Sequence, residues 1–274
     1  MRRNSRSIWW LLMVTLLSLS LLASADEGVY EIVFRDEFDY EGPPDPQKWG
    51  YDVGGDGWGN GELQFYTDSG NAWADGKHLI IEARAERREG AAYTSARLVT
   101  RGLVSFCEGI IEIRARVPTG RGTWSAIWLL PEDKRYGGWL HSGEIDLMEH
   151  VGFDPGVIYA SLHTLANNSV QGNPITRRYE LADRGEGFHI YVLEWTEDLL
   201  IVYIDNVELF RYRRPRAADG EGWKTWPFDL PFYLLFNVAV GGSWGGAEGV
   251  DETSFPQRMA VDYVRVYQRT DRTR

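Results

Sequence analysis

The feature that most constrains this chain is a period-two alternation of apolar and charged residues, with almost no helical periodicity beside it. In Ile111-Glu112-Ile113-Arg114-Ala115-Arg116-Val117 the two classes alternate without a break. Successive side chains on a strand point to opposite faces, so this run reads as a half-buried strand. Similar strands are expected over residues 79–83, 126–130, 144–150, 157–163, 190–195, 200–204, 208–212, 233–240 and 259–267. Pro118-Thr119-Gly120, Gly137-Gly138, Thr196-Glu197-Asp198 and Asp205-Asn206 supply turn chemistry, the last two joining three short strands into a meander. Roughly a dozen strands without a long amphipathic helix predict an all-β fold, an antiparallel sandwich or barrel. No linker, repeat or low-complexity tract interrupts residues 26–268, which are read as one domain; residues 269–274 form a polar tail expected to fray.

The first 25 residues stand apart. Arg2, Arg3 and Arg6 precede an apolar run from Ile8 to Leu22, and Ala23-Ser24-Ala25 gives a small-x-small cleavage pattern. This reads as a secretory signal peptide, too short in its apolar stretch for a membrane span, and implies a secreted or periplasmic protein. Removing its three cations takes the formal charge from −11 to −14. Such an acidic protein carries no electrostatic footprint for nucleic acid or anionic lipid and favours a neutral ligand. The 12 Trp point the same way, because indole faces stack on cyclic ligands. A single cysteine, Cys107, excludes an intrachain disulfide; it sits in a strand-like run and reads as a packed residue.

Ser142-Gly143-Glu144-Ile145-Asp146-Leu147-Met148-Glu149-His150 places three acids within six residues of an otherwise apolar strand. Glu144 and Asp146 share a face, whereas Glu149 has the wrong parity. One extra residue, a β-bulge at Leu147 or Met148, brings all three carboxylates onto one surface. Crowded, buried carboxylates raise each other's pKa, which is costly for folding and useful for acid–base chemistry. The residues alone leave three readings open: paired-carboxylate catalysis, a cation-binding run and a solvated acidic face. The interleaved Ile145, Leu147 and Met148 argue against the last, and calcium runs are usually loops rich in Asp, Asn and Gly.

Glu144-Ile145-Asp146-Leu147-Met148-Glu149 resembles the E-x-D-x-x-E signature of glycoside hydrolase family 16, in the form typical of laminarinase-like endo-β-1,3-glucanases. Asp36-Glu37-Phe38, residues 58–67 (WGNGELQFYT), Tyr93-Thr94-Ser95-Ala96-Arg97, residues 124–131 (WSAIWLLP), residues 239–246 (AVGGSWGG) and residues 261–267 (VDYVRVY) are similar to further segments of that family, in family order. The resemblance covers residues 33–268. Two departures stand out: Ser125 and Ile127 replace a Pro and a Phe between Trp124 and Trp128, and Leu140-His141 stands where Pro-Ala is common.

The resemblance implies a β-jelly-roll sandwich of two antiparallel sheets with a concave substrate cleft. It implies Glu144 as nucleophile, Glu149 as general acid/base and Asp146 as the acid supporting the nucleophile. Substrate-binding residues by the same match are Asn60, Arg97, Trp124, Trp128, Trp139, His163 and Trp244. Glu62 and Gln64 are placed to bind or to brace, and His150, of opposite parity, is read as structural. No cofactor is needed for the chemistry, while Glu37, Gly76 and Asp262 match a structural calcium site. Asn167-Asn168-Ser169 is a glycosylation sequon, relevant in a eukaryotic secretory host. The expected partner is a polysaccharide, β-1,3-glucan such as laminarin, acted on by a monomer. Mixed-linkage β-1,3-1,4-glucan, an algal galactan, or glucan binding without turnover are the alternatives.

Overall fold

In the computed structural model, residues 29–216 and 220–270 are described. The expected signal peptide, and residues 271–274 of the expected tail, lie outside them. In chain order the strands are β1 (Tyr30–Asp36), β2 (Glu41–Gly42), β3 (Gly50–Tyr51), β4 (Gln64–Tyr66), β5 (Ala72–Asp75) and β6 (Leu79–Ala83). There follow β7 (Tyr93–Ser95), β8 (Arg97–Val99), β9 (Gly109–Arg116), β10 (Thr123–Pro131), β11 (Glu144–Val151) and β12 (Val157–His163). The last six are β13 (Ile175–Glu180), β14 (His189–Trp195), β15 (Leu199–Ile204), β16 (Val207–Arg213), β17 (Phe232–Val240) and β18 (Gln257–Arg269).

These strands build two antiparallel sheets. One runs β16-β15-β14-β9-β18-β6-β5-β2, with β1 also on β18; the other runs β13-β12-β11-β10-β17-β8-β3. A short parallel pair, β4 with β7, lies apart from both. All-β architecture in two antiparallel sheets is therefore what the chain adopts, and the alternating run in β9 keeps its parity, with Ile111, Ile113 and Ala115 buried and Glu112 and Arg114 partly exposed.

The core fills the space between the sheets. Ile127, Leu129, Ile145, Met148, Ile158, Leu162, Leu234 and Phe236 from one sheet meet Ile111, Ile113, Tyr191, Leu193, Val202, Leu79, Ile81, Val261 and Val264 from the other. Burying each such side chain contributes about 1.5–3 kcal/mol. With inward positions committed to this layer, the outward face of the β10–β11–β12–β17 region is free to carry polar chemistry.

The alternation signal found most of the long strands but not β1, and missed β2, β3, β4, β5, β7 and β8, each of two to four residues, where parity has no room to show. It also missed β13, whose sequence ITRRYE is polar because this edge strand is largely exposed. One expectation is corrected: Arg269 does not belong to a frayed tail. It ends β18, opposite Tyr30 of β1, and the next residue, Thr270, donates its N–H to Val29 O at 3.0 Å.

Candidate active site

The register of β11 decides where its acids point. Against β10, Ile127 faces Met148 and Trp128 faces Asp146, so Leu147 is skipped; against β12, Asp146 faces Ser161 and Glu149 faces Tyr159. One extra residue is thus accommodated between Asp146 and Glu149, the bulge expected at Leu147 or Met148. Leu147 and Met148 are fully buried. Glu144, Asp146 and Glu149 consequently share the outward face, beside Ala126 and Trp128 of β10 and Tyr159, Ser161 and His163 of β12.

Each acid has its own partners. The Trp139 indole N–H donates a short hydrogen bond to Glu144. The Trp124 indole N–H donates to Glu149 Oε1 at 3.2 Å. Asp146, 3% exposed, has Oδ2 3.1 Å from His163 Nε2. Burial pushes the Glu144 carboxyl up to about 8, with the neighbouring Asp146 charge adding to it. Burial likewise raises Asp146 to about 7, and holds Glu149 well above the ordinary carboxylate range, with Asp146 and Glu144 reinforcing the effect. Three carboxylates crowded on one face, with pKa values raised in this way, are not all ionised at neutral pH. The arrangement therefore keeps at least one as a proton donor beside an ionised neighbour.

Among the described residues, the only group of three or more acidic, His or Cys side chains close enough to hold a metal is Glu144, Asp146 and His163, whose ligating atoms lie within 4.8 Å of one another. Two N–H groups compete with a cation there. Trp139 aims its indole hydrogen at Glu144, and because His163 Nδ1 accepts the Ser169 amide at 3.3 Å, the ring proton stands on Nε2, 3.1 Å from Asp146 Oδ2 but not hydrogen-bonded to it. These partners suit a hydrogen-bonded acid cluster better than a metal centre.

The remaining expected binding residues divide. Trp124 and Trp128 share a face of β10, as their spacing requires. Trp124 packs edge-on to Trp244 at 5.5 Å, and Trp244 edge-on to Tyr159 at 5.0 Å, an aromatic corner next to Glu149. Trp139 is 56% exposed and open to the cleft. Trp128 and Arg97 also have partners within the protein. The Arg97 guanidinium lies 4.8 Å from the Trp58 ring and 4.7 Å from the Trp128 ring, and its Nε is 3.1 Å from Asp52 Oδ2. Its charge holds two indoles and an acid together. His163, 8% exposed, faces Asp146 and orients it.

Asn60 donates to Glu62 Oε1 at 3.0 Å, while Gln64 donates to Glu62 Oε2 at 2.6 Å and accepts the Val240 N–H at 2.7 Å. Gln64 is completely buried and braces β17. Glu62 is the hub, reached also by the Tyr66 hydroxyl, which in turn accepts from Asn237; Asn237 accepts from the Trp128 indole at 2.8 Å. Sequence reasoning passed over Asn237 and Trp58. A single amide within FYLLFNVAV was the available signal for the first, since a buried strand tolerates such a group only with partners.

His150 is completely buried, facing the core as its parity predicted, and burial lowers its pKa to about 4, so it stays neutral. Cys107 is partly buried at the edge of the core. The calcium expectation meets an obstacle. Both Glu37 oxygens are held by Arg265 at 2.8 and 2.9 Å, and Asp262 is paired with Arg114. Two guanidinium groups already neutralise the carboxylates, so these residues as arranged do not fit a divalent cation.

Comparison with known proteins now bears on this arrangement. Residues 59–265 match the glycosyl hydrolases family 16. A β-glucanase of Rhodothermus marinus is 50% identical over 264 residues, covering 93% of this chain and 92% of that protein. The chain belongs to glycoside hydrolase family 16. Among solved structures of the family, the laminarinase from Rhodothermus marinus superposes with a TM-score of 0.86 at 49% identity, over 90% of this chain and 100% of that one. SCLam, a non-specific endo-β-1,3(4)-glucanase, follows at 0.83 and 41%, over 90% and 94%.

Proposed function

We propose that this family 16 glycoside hydrolase is an exported, retaining endo-β-1,3-glucanase acting on β-glucans such as laminarin. The observation that carries the reading is the bulged β11, which lines up Glu144, Asp146 and Glu149 on one outward face with different partners for each. Export rests on the pattern of residues 1–25.

Retention needs two carboxyl groups about 5–5.5 Å apart, one ionised and one protonated. On the bulged strand Glu144 and Glu149 have an effective spacing of four residues, about 13 Å of strand rise. Two glutamate side chains leaning together over Asp146 close most of that gap. Glu144 attacks the anomeric carbon in its ionised form, which the Trp139 N–H favours against the burial and the Asp146 charge that raise its pKa to about 8. Glu149, with its raised pKa, gives its proton to the departing glycosidic oxygen. A glycosyl ester forms on Glu144, Glu149 then takes a proton from water, and water releases the sugar with overall retention. Asp146, oriented by His163, governs how readily Glu144 holds its own proton.

The test is substitution together with a substrate panel. Glu144→Gln is expected to lower kcat by more than about 10³-fold and Glu149→Gln by about 10²–10⁴-fold, both retaining binding of laminari-oligosaccharides. The parent enzyme should release reducing ends and several oligosaccharide sizes from laminarin, faster than from barley mixed-linkage glucan or agarose. Full activity in either variant defeats the roles. Products from agarose alone would replace the substrate but keep the chemistry.

A further inference from the structure

Trp139 is the most exposed large aromatic at the site, yet its indole N–H is fixed on Glu144. Nothing in its own segment pairs in a sheet; residues 132–143 are a loop between β10 and β11. An exposed Trp on such a loop would ordinarily sample several rotamers, so something else must hold it.

The residues on either side of it show what does. Tyr136, three before, stacks on the Trp223 ring at 5.4 Å with an interplanar angle of 6°, and His141, two after, stacks on the same ring at 6.1 Å and 20°. The Tyr136 hydroxyl also donates to Asp229 at 3.0 Å. Beneath, Gly143 lies so close to the second segment that an added Cβ would meet Pro227 at 2.6 Å. Inside the loop, Ser142 Oγ donates to Gly137 O at 2.9 Å, and Leu140 is held at a φ of 71°, a conformation costly for leucine that persists only where its surroundings impose it. Trp223 sits on a 3-10 turn, Gly222–Lys224, itself tied to the loop after β12 by the Ala166 N–H on Lys224 O.

We infer that Trp223 is a positioning residue for the reaction: by stacking on both Tyr136 and His141 it latches the 132–143 loop and so holds the Trp139 N–H against Glu144. Trp223 acts on the reacting carboxylate only through that loop. The inference rests on the reading of Glu144 as nucleophile for its kinetic consequence, but not for its structural one.

The experiment uses the full chain labelled with ¹⁵N at the indole nitrogens, with Trp139→Phe identifying the Trp139 N–H signal. In Trp223→Ala that signal is expected to move to the position of a solvent-bonded indole, whereas Trp223→Tyr should leave it in place. With the donor lost, ionised Glu144 is less favoured, so the acid limb of kcat/KM moves to higher pH and the rate at pH 6 falls about tenfold. Trp139→Phe should give the same displacement, and the double variant Trp139→Phe/Trp223→Ala no more than that. Should Trp223→Ala fail to fold, the exposed stack partner is removed instead, as His141→Ala with Tyr136→Leu, with the same expected movement. An unmoved Trp139 signal and acid limb in either background overturns the latch. A signal that moves while even Trp139→Phe leaves the pH profile unchanged supports the latch and removes Glu144 from the nucleophile's role.

Discussion

A carboxyl whose pKa is raised by burial binds its proton more tightly in the folded protein than in the unfolded one. The stability it contributes is complete below the unfolded value, about 4 for Asp and Glu, and is lost as pH rises through the folded value. Asp146 and Glu144, raised to about 7 and about 8, therefore draw stability down across neutral and mildly alkaline pH. Replacing Asp146 with Asn is expected to raise Tm by several degrees at pH 8 and by much less at pH 5, read by calorimetry at both values. An equal change at both would mean that the charge is not what costs stability. The same substitution removes the ionised neighbour that raises Glu144, so the acid limb of the activity profile should move down in pH. At this scale residue types were legible in the sequence but loyalties were not. Arg97 and His163 were expected to meet sugar, while their neighbours within the protein, Asp52 with two indoles in one case and Asp146 in the other, were not readable. Side-chain partnership across strands depends on register, which a single sequence does not display.

The bulge in β11 is where element geometry becomes chemistry. A strand alternates faces with period two, so three acids at 144, 146 and 149 share a face only if one residue is left out of the count. That residue is legible from parity alone, and the register against both β10 and β12 agrees with it. Deleting Leu147 restores regular pairing and leaves Glu149 two positions after Asp146, still on the outward face, whereas one alanine inserted between Met148 and Glu149 turns Glu149 toward the core. The insertion is expected to lower turnover by at least about 10³-fold and to destabilise by about 3–5 kcal/mol through the buried charge, while the deletion should retain turnover and cost about 2–5 kcal/mol through the lost side chain. A control, Leu147→Ala, keeps the bulge, so it should cost stability of the same order while retaining most of kcat. Activity surviving the insertion would mean that residue parity on β11 does not aim Glu149. Long strands such as β9, β12 and β17 were readable because alternation, or an unbroken apolar run, has room to declare itself. The exposed edge strand β13 and the two- and three-residue strands gave no such signal, because tertiary pairing rather than local pattern makes them strands.

In the whole molecule, two sheets with a shared apolar layer leave one outward face to carry acids and aromatics. The nine-stranded sheet supplies burial and the seven-stranded sheet supplies the site. Loops tie the two ends of that site: the Glu62 network joins residues 60–66 to β17, and the Trp223 stack joins residues 132–143 to the segment before β17. The class of fold and the acid strand could be read before any coordinates, whereas the long-range ties could not, since Trp223 and Tyr136 lie far apart in sequence with no pattern linking them. The account stands or falls on double displacement at Glu144 and Glu149 within a β-1,3-glucan. Its most direct measurement is a ¹H NMR time course of the protein with laminarin, following the anomeric protons of newly formed reducing ends before mutarotation. The account predicts β-anomer signals first, with the α form growing in later. The α-anomer appearing first, or no new reducing ends, would contradict it.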